Sequence, residues 1–295
     1  MKIEHLTTCP SCGSNQIHHY INVPDYYYSK AVFPIDECNN CGLRFTQDRP
    51  TSIEIGNYYD SANYASHQSK QKESVFLKVY QVARDLMFNE KFKLVRQFKP
   101  EWKDVLDYGT GEGFFVEYLL NKGKSAVGIE PSEIARANFC KRTGKELFAN
   151  LQSLPKILSF QVITLWHVLE HIHDLKETMQ GLTERIQPNG IMVIAVPNQK
   201  SKDLKDFGTE WAAWDVPRHL YHWDENSLEH FMKSLGLNRI YTSQLPLDPI
   251  YIGMISAKYQ SKGPITGILK GIKSYFHGKS HPSEGSTLLT VWMKN

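Results

Sequence analysis

Between residues 104 and 198, short runs of β-branched and aromatic residues alternate with longer segments whose apolar residues recur at helical spacing. The runs typical of strands are DVLDYG (104–109), SAVGIEP (125–131), FQVITLW (160–166) and GIMVIAVPN (190–198), and KELFAN (145–150) is a further candidate. Strand–helix alternation at this spacing predicts a parallel sheet covered on both faces. The pattern therefore predicts an α/β, doubly wound fold.

A long helical pattern precedes this alternation. From about Gln71 to Phe98 apolar residues keep a helical period, which predicts an amphipathic helix that ends before Pro100. Upstream of it, the polar, proline-containing TQDRPTS (46–52) is a plausible domain boundary. We therefore expect an N-terminal module over residues 1–48 and a linker with a helical segment over residues 49–100.

Four of the five cysteines form two C-x-x-C pairs, Cys9 with Cys12 and Cys38 with Cys41. Two such pairs in a cytosolic chain are typical of a tetrahedral zinc site, and Gly13 and Gly42 permit the sharp turn after each pair. The alternative is a pair of disulfides or a redox pair. A Zn²⁺ with four protein ligands would be structural and would stabilise a zinc-ribbon-like module too small to fold alone. Cys140 is expected to be a buried small hydrophobe.

A glycine-rich turn, DYGTGEG (107–113), follows the first predicted strand. Glycines at a strand-to-helix turn let a ligand approach the backbone closely at a helix N-terminus. The spacing differs from the G-x-G-x-x-G of dinucleotide sites, and the carboxylates of Asp107 and Glu112 would repel a pyrophosphate. The turn therefore favours a cationic or zwitterionic ligand. Glu130, at the end of the second strand, can accept hydrogen bonds from both hydroxyls of a ribose.

Taken in order, LDYGTGEG, VGIEPS, ANLQSLP, VITLWHVLEHI and NGIMVIAVPN resemble the class I S-adenosylmethionine-dependent methyltransferases. The likeness is close over roughly residues 105–198. It implies an enzyme with a seven-stranded Rossmann-like sheet in a domain over residues 101–295. The last two strands of the family form an antiparallel hairpin at the sheet edge, here NRIYTSQ (238–244) and STLLTVWMKN (286–295).

The resemblance also implies which residues bind S-adenosyl-L-methionine. The glycine turn would line the methionine part, Glu130 would hold the ribose, and Asn150 with Leu151 would flank the adenine. The family usually has Asp at the position of Asn150, which can also be a turn residue. Phe114 and Trp166 are candidate aromatic walls for the sulfonium. The complete candidate set is Asp107, Gly109, Thr110, Gly111, Gly113, Phe114, Glu130, Pro131, Asn150, Leu151 and Trp166.

An insert over residues 199–236 contains WAAWDVPRHLYHWDENSLEHF (211–231). An insert after the fifth strand lies over the carboxyl ends of the strands, where open α/β sheets bind ligands. DVPRHLYHW is similar to a segment of a bacterial methyltransferase subgroup linked to surface-polysaccharide and sugar modification. Some relatives, including sugar C-methyltransferases, also carry an N-terminal Cys₄ zinc module.

Three histidines and one arginine are candidate catalytic residues. A hydroxyl, or a carbon beside a carbonyl, needs a base with a pKa near neutrality before it can accept a methyl group. His167, just past the fourth strand, and His219 or His222 in the insert fit this role, although each can also be structural. Arg218 either holds an anionic group of the acceptor or pairs with Asp215.

His167 begins an H-x-x-E-H pattern, which is typical of inverted zinc metallopeptidases. A shared ion requires both histidines on one face of a helix. Here QVITLW predicts a strand immediately before His167, and the next helix is expected only after His173. The pattern is therefore expected on a loop at the carboxyl edge of the sheet, with one zinc per chain, held by the cysteines.

The segment over residues 260–281 contains GPITGILKGIKSYFHGKSH, which places apolar residues on one helical face. No acidic residue occurs between Asp248 and Glu284. The pattern predicts a basic amphipathic helix. This helix either covers the sheet or closes the active site, or it makes a peripheral contact with a membrane and a lipid-linked sugar.

Composition narrows the function classes. A net charge of +3 without a basic stripe gives no strong nucleic-acid signal. No apolar run approaches the roughly 18 residues of a membrane span, and no signal peptide is apparent, so we expect a cytoplasmic protein. The hypothesis is a methyltransferase for a small-molecule acceptor, a sugar or nucleotide-sugar in surface-polysaccharide biosynthesis. RNA or protein methylation through the zinc ribbon, or a non-catalytic binding module, is the alternative; monomer and homodimer both remain open.

Overall fold

The computed structural model describes residues 2–59 and 75–294, with side chains over 2–59 and 84–294. The helix expected from Gln71 is seen from Val75 to Phe98, and its expected first turn lies outside the described residues. The helices are α1 (Val75–Phe98), α2 (Phe114–Asn121), α3 (Glu133–Thr143), α4 (Leu175–Glu184), α5 (Lys202–Phe207), α6 (Glu225–Ser234), α7 (Asp248–Tyr259) and α8 (Pro264–Ser280). The strands are β1 (Ile3–Glu4), β2 (Ile17–Pro24), β3 (Val32–Cys38), β4 (Arg44–Thr46), β5 (Arg49–Pro50), β6 (Asp104–Tyr108), β7 (Ser125–Ile129), β8 (Phe160–Trp166), β9 (Ile186–Pro197), β10 (Tyr221–His222), β11 (Leu237–Ser243) and β12 (Thr287–Lys294).

The largest sheet has six strands in the order β11-β12-β9-β8-β6-β7. The strand β6 pairs in parallel with both β7 and β8, so that Leu106 lies opposite Val127 on one side and Ile163 on the other. Leu106 and Ile163 are fully buried, as expected for parallel strands covered on both faces. The predicted α/β fold with a mostly parallel sheet is confirmed.

The prediction of seven strands is wrong for the part of the chain that the structure describes. The candidate strand KELFAN makes only one bridge, at Phe148, whose backbone exchanges hydrogen bonds with Gly128 and Glu130. Immediately afterwards the chain turns at Asn150, whose side-chain Oδ1 accepts a hydrogen bond from the backbone three residues on. Because the turn comes so soon, no ladder can form there.

The chain divides into two compact units. The first consists of Met1–Ser61, His167–Met179 and Ile194–Trp292, and the second of Ala62–Trp166, Gln180–Val193 and Met293–Asn295. The first contains a four-stranded sheet in the order β10-β4-β3-β2, in which β3 pairs antiparallel with β2 and β4. N-terminal strands and a strand of the expected insert thus share one sheet. The domain boundaries expected from the sequence stay predictions.

Helices α7 and α8 pack through glycines. A Cβ on Gly267 of α8 would lie 2.4 Å from the carbonyl oxygen of Gly253 of α7, so the two backbones are in direct contact. The helix expected over residues 260–281 is therefore present, but small residues form much of its buried face. Ile265, Leu269 and Phe276 are exposed. No helix in the described ranges has the length and apolarity to cross a bilayer.

Candidate functional site

A buried carboxylate lies at the start of the glycine turn. Asp107, on β6, is 3% exposed and accepts a hydrogen bond of 2.6 Å from Oγ1 of Thr164 on the neighbouring strand β8. Burial raises the pKa of Asp107, and the Thr164 hydroxyl opposes this rise. Sequence reasoning missed Thr164. The available signal was a hydroxyl within the otherwise apolar core of FQVITLW.

The glycine turn is closed by Glu130. Its Oε2 accepts from the backbone N of Gly111 at 2.8 Å, and its Oε1 accepts from the N of Ser132 at 2.9 Å. Gly111 has a φ of 57°, and among the described residues no atom beyond the adjoining ones lies within 4 Å of the place of a Cβ. A Cβ on Gly113 would instead lie 2.3 Å from the ring of Phe139. Gly113 thus allows close packing, and Gly111 leaves space for a ligand.

The two candidate aromatic walls have cationic neighbours. The ring of Phe114 has the Arg84 guanidinium at 4.5 Å and the Arg142 guanidinium at 4.1 Å from its centroid. Nζ of Lys91 lies 4.3 Å from a ring centroid of Trp166. Both rings therefore attract cations, as a sulfonium wall must. Sequence reasoning missed these three basic residues. Arg84 and Lys91 lie on α1, which is far from Phe114 and Trp166 along the chain.

The candidate adenine residues lie just after the bridge at Phe148. Asn150 Oδ1 accepts from the N of Ser153 at 2.8 Å, and Oγ of Ser153 donates to the Asn150 carbonyl at 2.7 Å. This geometry fits the interpretation of Asn150 as a turn residue. Leu151 is buried, and Pro131 is exposed after β7. All eleven candidate cofactor residues lie in the second unit, and their roles stay predictions.

His167 directly follows β8 and has a φ of 56°. Its Nε2 lies 2.9 Å from Oδ2 of Asp248, and its Nδ1 lies 3.5 Å from Oε1 of Glu170. Burial disfavours the charged imidazolium, but the two carboxylates outweigh this effect and raise the pKa of His167 to about 10. At neutral pH the ring is therefore protonated and must first lose a proton before it can act as a base.

Arg218 is held inside the first unit by several acceptors. Its Nε donates to Oδ2 of Asp215 at 3.0 Å, its second terminal nitrogen donates to Oδ1, and a third bond of 3.2 Å reaches the Tyr58 carbonyl. The ring centroid of Tyr27 lies 4.2 Å from the guanidinium carbon. This geometry favours the pairing with Asp215 that the sequence analysis left open.

His219 and His222 lie on either side of the start of β10. Nδ1 of His219 lies 2.9 Å from the carbonyl of Ala213. His222 is 3% exposed, and its Nε2 lies 3.1 Å from Oγ1 of Thr46. Burial lowers the pKa of His222 well below its ordinary value, so this ring is neutral at pH 7.

The four paired cysteines converge. Their sulfurs all lie within 4.8 Å of one another, with 3.6 Å between Cys9 and Cys41 and between Cys12 and Cys38. A tetrahedron of thiolates about 2.3 Å from zinc has edges of about 3.8 Å, so the cluster fits one ion. All five cysteines are free, and Cys140 is exposed, so the expectation that it is buried is wrong. Phe139, its neighbour on α3, takes the inward position.

The H-x-x-E-H pattern lies on the loop that the sequence predicts. β8 ends at Trp166, a short 3₁₀ helix spans Leu169–His171, and α4 begins at Leu175. A second group of candidate metal ligands nevertheless occurs here: Glu170 and His171 lie near His219, with ligand atoms within 4.8 Å of one another.

Comparisons with known proteins agree with this architecture. A family model described as a methyltransferase domain matches residues 80–242. A ubiquinone biosynthesis O-methyltransferase of Rhodopseudomonas palustris (strain BisB5) is 27% identical over 158 residues, or 50% of this chain, which spans 62% of that relative.

Two solved structures show the same fold. The [4+2]-cyclase SpnF has a TM-score of 0.54 at 15% identity, covering 83% of this chain and 97% of its own. The magnesium protoporphyrin IX methyltransferase of Synechocystis PCC 6803, with bound SAH, has a TM-score of 0.52 at 12% identity, covering 83% and 100%. The family model matches more than half of the residues of this chain, so the chain belongs to the methyltransferase domain family.

Proposed function

We propose that this protein transfers a methyl group from S-adenosylmethionine to a small-molecule acceptor. The observation that carries the proposal is the turn in which Gly111 donates to Glu130 and leaves open space beside its own Cα. In a chain of the methyltransferase domain family, such a turn suits the cofactor of that family.

The residues of the turn fit this cofactor chemically. Each oxygen of Glu130 accepts one backbone hydrogen bond and keeps a lone pair for a ribose hydroxyl. Asp107 supplies a buried carboxylate that complements an ammonium group. Asn150 and Leu151 would flank the adenine. When bound, S-adenosylmethionine supplies an already activated methyl group, so positioning by these residues provides much of the rate enhancement.

Two acceptor classes are supported by different observations. The printed name of the Rhodopseudomonas relative supports O-methylation of a ubiquinone precursor, in which the acceptor is a ring hydroxyl. The DVPRHLYHW segment, together with the cysteine cluster, supports a sugar or nucleotide-sugar acceptor in surface-polysaccharide biosynthesis. RNA or protein methylation has weaker support, because the net charge is only +3.

The base that deprotonates the acceptor is proposed to be one of three histidines. His219 and His222 hold their rings near backbone or hydroxyl oxygens, and His167 would act only after losing its proton. Arg218 would orient an acceptor anion only by giving up part of its contact with Asp215. We also propose that the four cysteines bind one structural Zn²⁺.

Isothermal titration with S-adenosylhomocysteine tests the cofactor site, and transfer of a labelled methyl group tests the acceptor. The acceptor panel contains a dihydroxylated quinol precursor, nucleotide-sugars and bulk RNA, with each product identified by mass spectrometry. We expect micromolar binding and transfer to one of the two small-molecule classes. Absence of S-adenosylhomocysteine binding would favour a non-catalytic binding module. Labelling of RNA alone would favour RNA methylation through the zinc ribbon.

Peripheral membrane contact by α8 is a separate proposal. Its exposed residues Ile265, Leu269 and Phe276 lie near exposed Lys262 and Lys273, a combination that favours an anionic lipid surface. Co-sedimentation with phosphatidylglycerol vesicles at low salt should be lost in Leu269→Glu. The same change at Ile157, which is 91% exposed in the second unit, should not affect binding. No sedimentation of the wild-type protein would reject this contact.

A further inference from the structure

Three metal-ligating side chains meet in the first unit, outside the cysteine cluster. Glu170 and His171 lie on the 3₁₀ helix after β8, and His219 lies just before β10. One ligand atom from each lies within 4.8 Å of the other two, and the two imidazole rings have centroids 4.7 Å apart. Segments about 50 residues apart in sequence thus converge on one point.

Glu170 lacks the hydrogen bonds that a buried carboxylate requires. It is 0% exposed, and neither of its oxygens has a hydrogen-bond partner in the described part of the chain. Nδ1 of His167 is within ion-pair distance, at 3.5 Å from Oε1. Burying a carboxylate without close donors costs several kcal/mol, which a bound cation offsets. His167 neighbours only Oε1, so Oε2 has no partner in the described part of the chain and is left for a bound cation.

The two histidines are oriented as metal ligands usually are. Nδ1 of His171 lies 2.9 Å from the Arg218 carbonyl, and Nδ1 of His219 lies 2.9 Å from the Ala213 carbonyl. A carbonyl can only accept, so Nδ1 is the donor in each ring and Nε2 is the nitrogen left to face a metal. Nδ1 of His171 also lies 3.0 Å from the hydroxyl of Tyr59. Backbone carbonyls that fix the far nitrogen of a ring are typical second partners of metal-binding histidines. Asp215 lies 3.7 Å from Nε2 of His219, but Arg218 already binds both oxygens of that carboxylate.

We propose that Glu170, His171 and His219 bind a divalent transition-metal ion, such as Zn²⁺, in a second site distinct from the four cysteines. Two imidazoles and one carboxylate suit zinc and other first-row divalent ions, and three protein ligands leave a position for water or a ligand oxygen. The site uses two of the three named residues of the H-x-x-E-H pattern, because His167 lies beside Asp248 instead. The expectation of one zinc per chain would then be too low, and His219, as a metal ligand, would no longer be available as the base for methyl transfer.

Metal counting tests the proposal independently of methyl transfer. The full chain is equilibrated with Zn²⁺, freed of loosely bound metal on a desalting column, and analysed by mass spectrometry for zinc per chain. We expect two zinc ions in the wild type and one in Glu170→Gln and in His219→Ala. His230→Ala changes an exposed histidine of α6 and should retain two. One ion in the wild type, or two in both site variants, would overturn the proposal.

Cobalt substitution and diffraction test the second metal site independently, even if a variant folds poorly. In the Co²⁺ protein, thiolate-to-metal charge transfer reports the cysteines, and Glu170→Gln should retain this band while losing absorption from the nitrogen–oxygen site. Anomalous diffraction at the zinc edge from wild-type crystals should show a peak among Glu170, His171 and His219. Zinc density at the cysteines alone would contradict the second site.

Discussion

The backbone N of Gly111 donates a hydrogen bond of 2.8 Å to Oε2 of Glu130, which joins the glycine turn to the end of β7. The same carboxylate accepts from the N of Ser132, the N-cap of α3. One side chain thus fixes two loops that follow parallel strands. Both loops lie at the carboxyl edge of the sheet, where open α/β folds bind ligands.

Glu130→Gln should weaken binding of S-adenosylhomocysteine. The amide has nearly the same shape, but it loses the negative charge and replaces one acceptor oxygen with a donor. We expect a loss of about 1–3 kcal/mol, which is roughly a 5- to 150-fold higher Kd by isothermal titration. Glu133→Gln, an exposed change in the first turn of α3, is the matched control. Equal affinities for Glu130→Gln and wild type would exclude a ribose-binding role.

Gly267→Ala should destabilise the first unit. Its Cβ would lie 2.4 Å from the Gly253 carbonyl oxygen and 2.6 Å from the Met254 Cα, so α7 and α8 would have to separate. Overpacking of this kind costs about 1–3 kcal/mol in urea unfolding. Gly263→Ala is the control, because a Cβ there meets no atom of the described part of the chain within 4 Å and the backbone φ is −68°. If both variants unfold alike, the close helix contact is not important for stability.

Cys38→Ser should remove the zinc ion held by the cysteine cluster. Cys38 is fully buried, and its sulfur lies 3.6 Å from that of Cys12, so loss of one thiolate breaks a four-ligand site. We expect one zinc ion fewer per chain and faster proteolysis of residues 1–48. Cys140→Ser changes an exposed, isolated cysteine and should leave the zinc content unchanged. Retention of all zinc by Cys38→Ser would show that the cluster is not a metal site.

Local patterns predict most of the strands in the largest sheet. FQVITLW forms β8 (Phe160–Trp166) over the residues that the sequence predicts. These features depend on neighbouring residues, so the sequence contains the signal.

The sequence alone does not predict features that depend on contacts between segments far apart in the chain. The pairing of β4 with β10, in which Phe45 lies opposite Tyr221, joins segments about 176 residues apart in sequence. In the sequence, the apolar residues of α8 indicate its packing face. The role of Gly267 becomes visible only in the structure, where the backbone of Gly253 lies beside it. The convergence of Glu170 and His219 has the same origin.

His222 should make the protein less stable in mild acid. Its pKa is about 6.5 when unfolded and well below that in the folded protein, because burial disfavours the charged ring. As the pH falls below about 6.5, the unfolded chain binds a proton that the folded chain does not. The contribution of His222 to stability is therefore complete above pH 6.5 and is lost below it, by up to about 1.4 kcal/mol per pH unit.

Urea unfolding of His222→Gln from pH 5 to pH 8 measures this contribution. The variant should be less stable at pH 8, because Gln fills the buried site less well, but its stability should fall less steeply toward pH 5. His230→Gln, an exposed change on α6, should keep the wild-type slope. An unchanged slope in His222→Gln would mean that another group governs acid sensitivity.

The neutral ring of His222 donates from Nε2 to Oγ1 of Thr46, whose own proton goes to the His219 carbonyl. Thr46→Val should therefore lower stability at pH 8 while leaving the acid slope in place, because the buried His222 ring would lose its acceptor but not its burial.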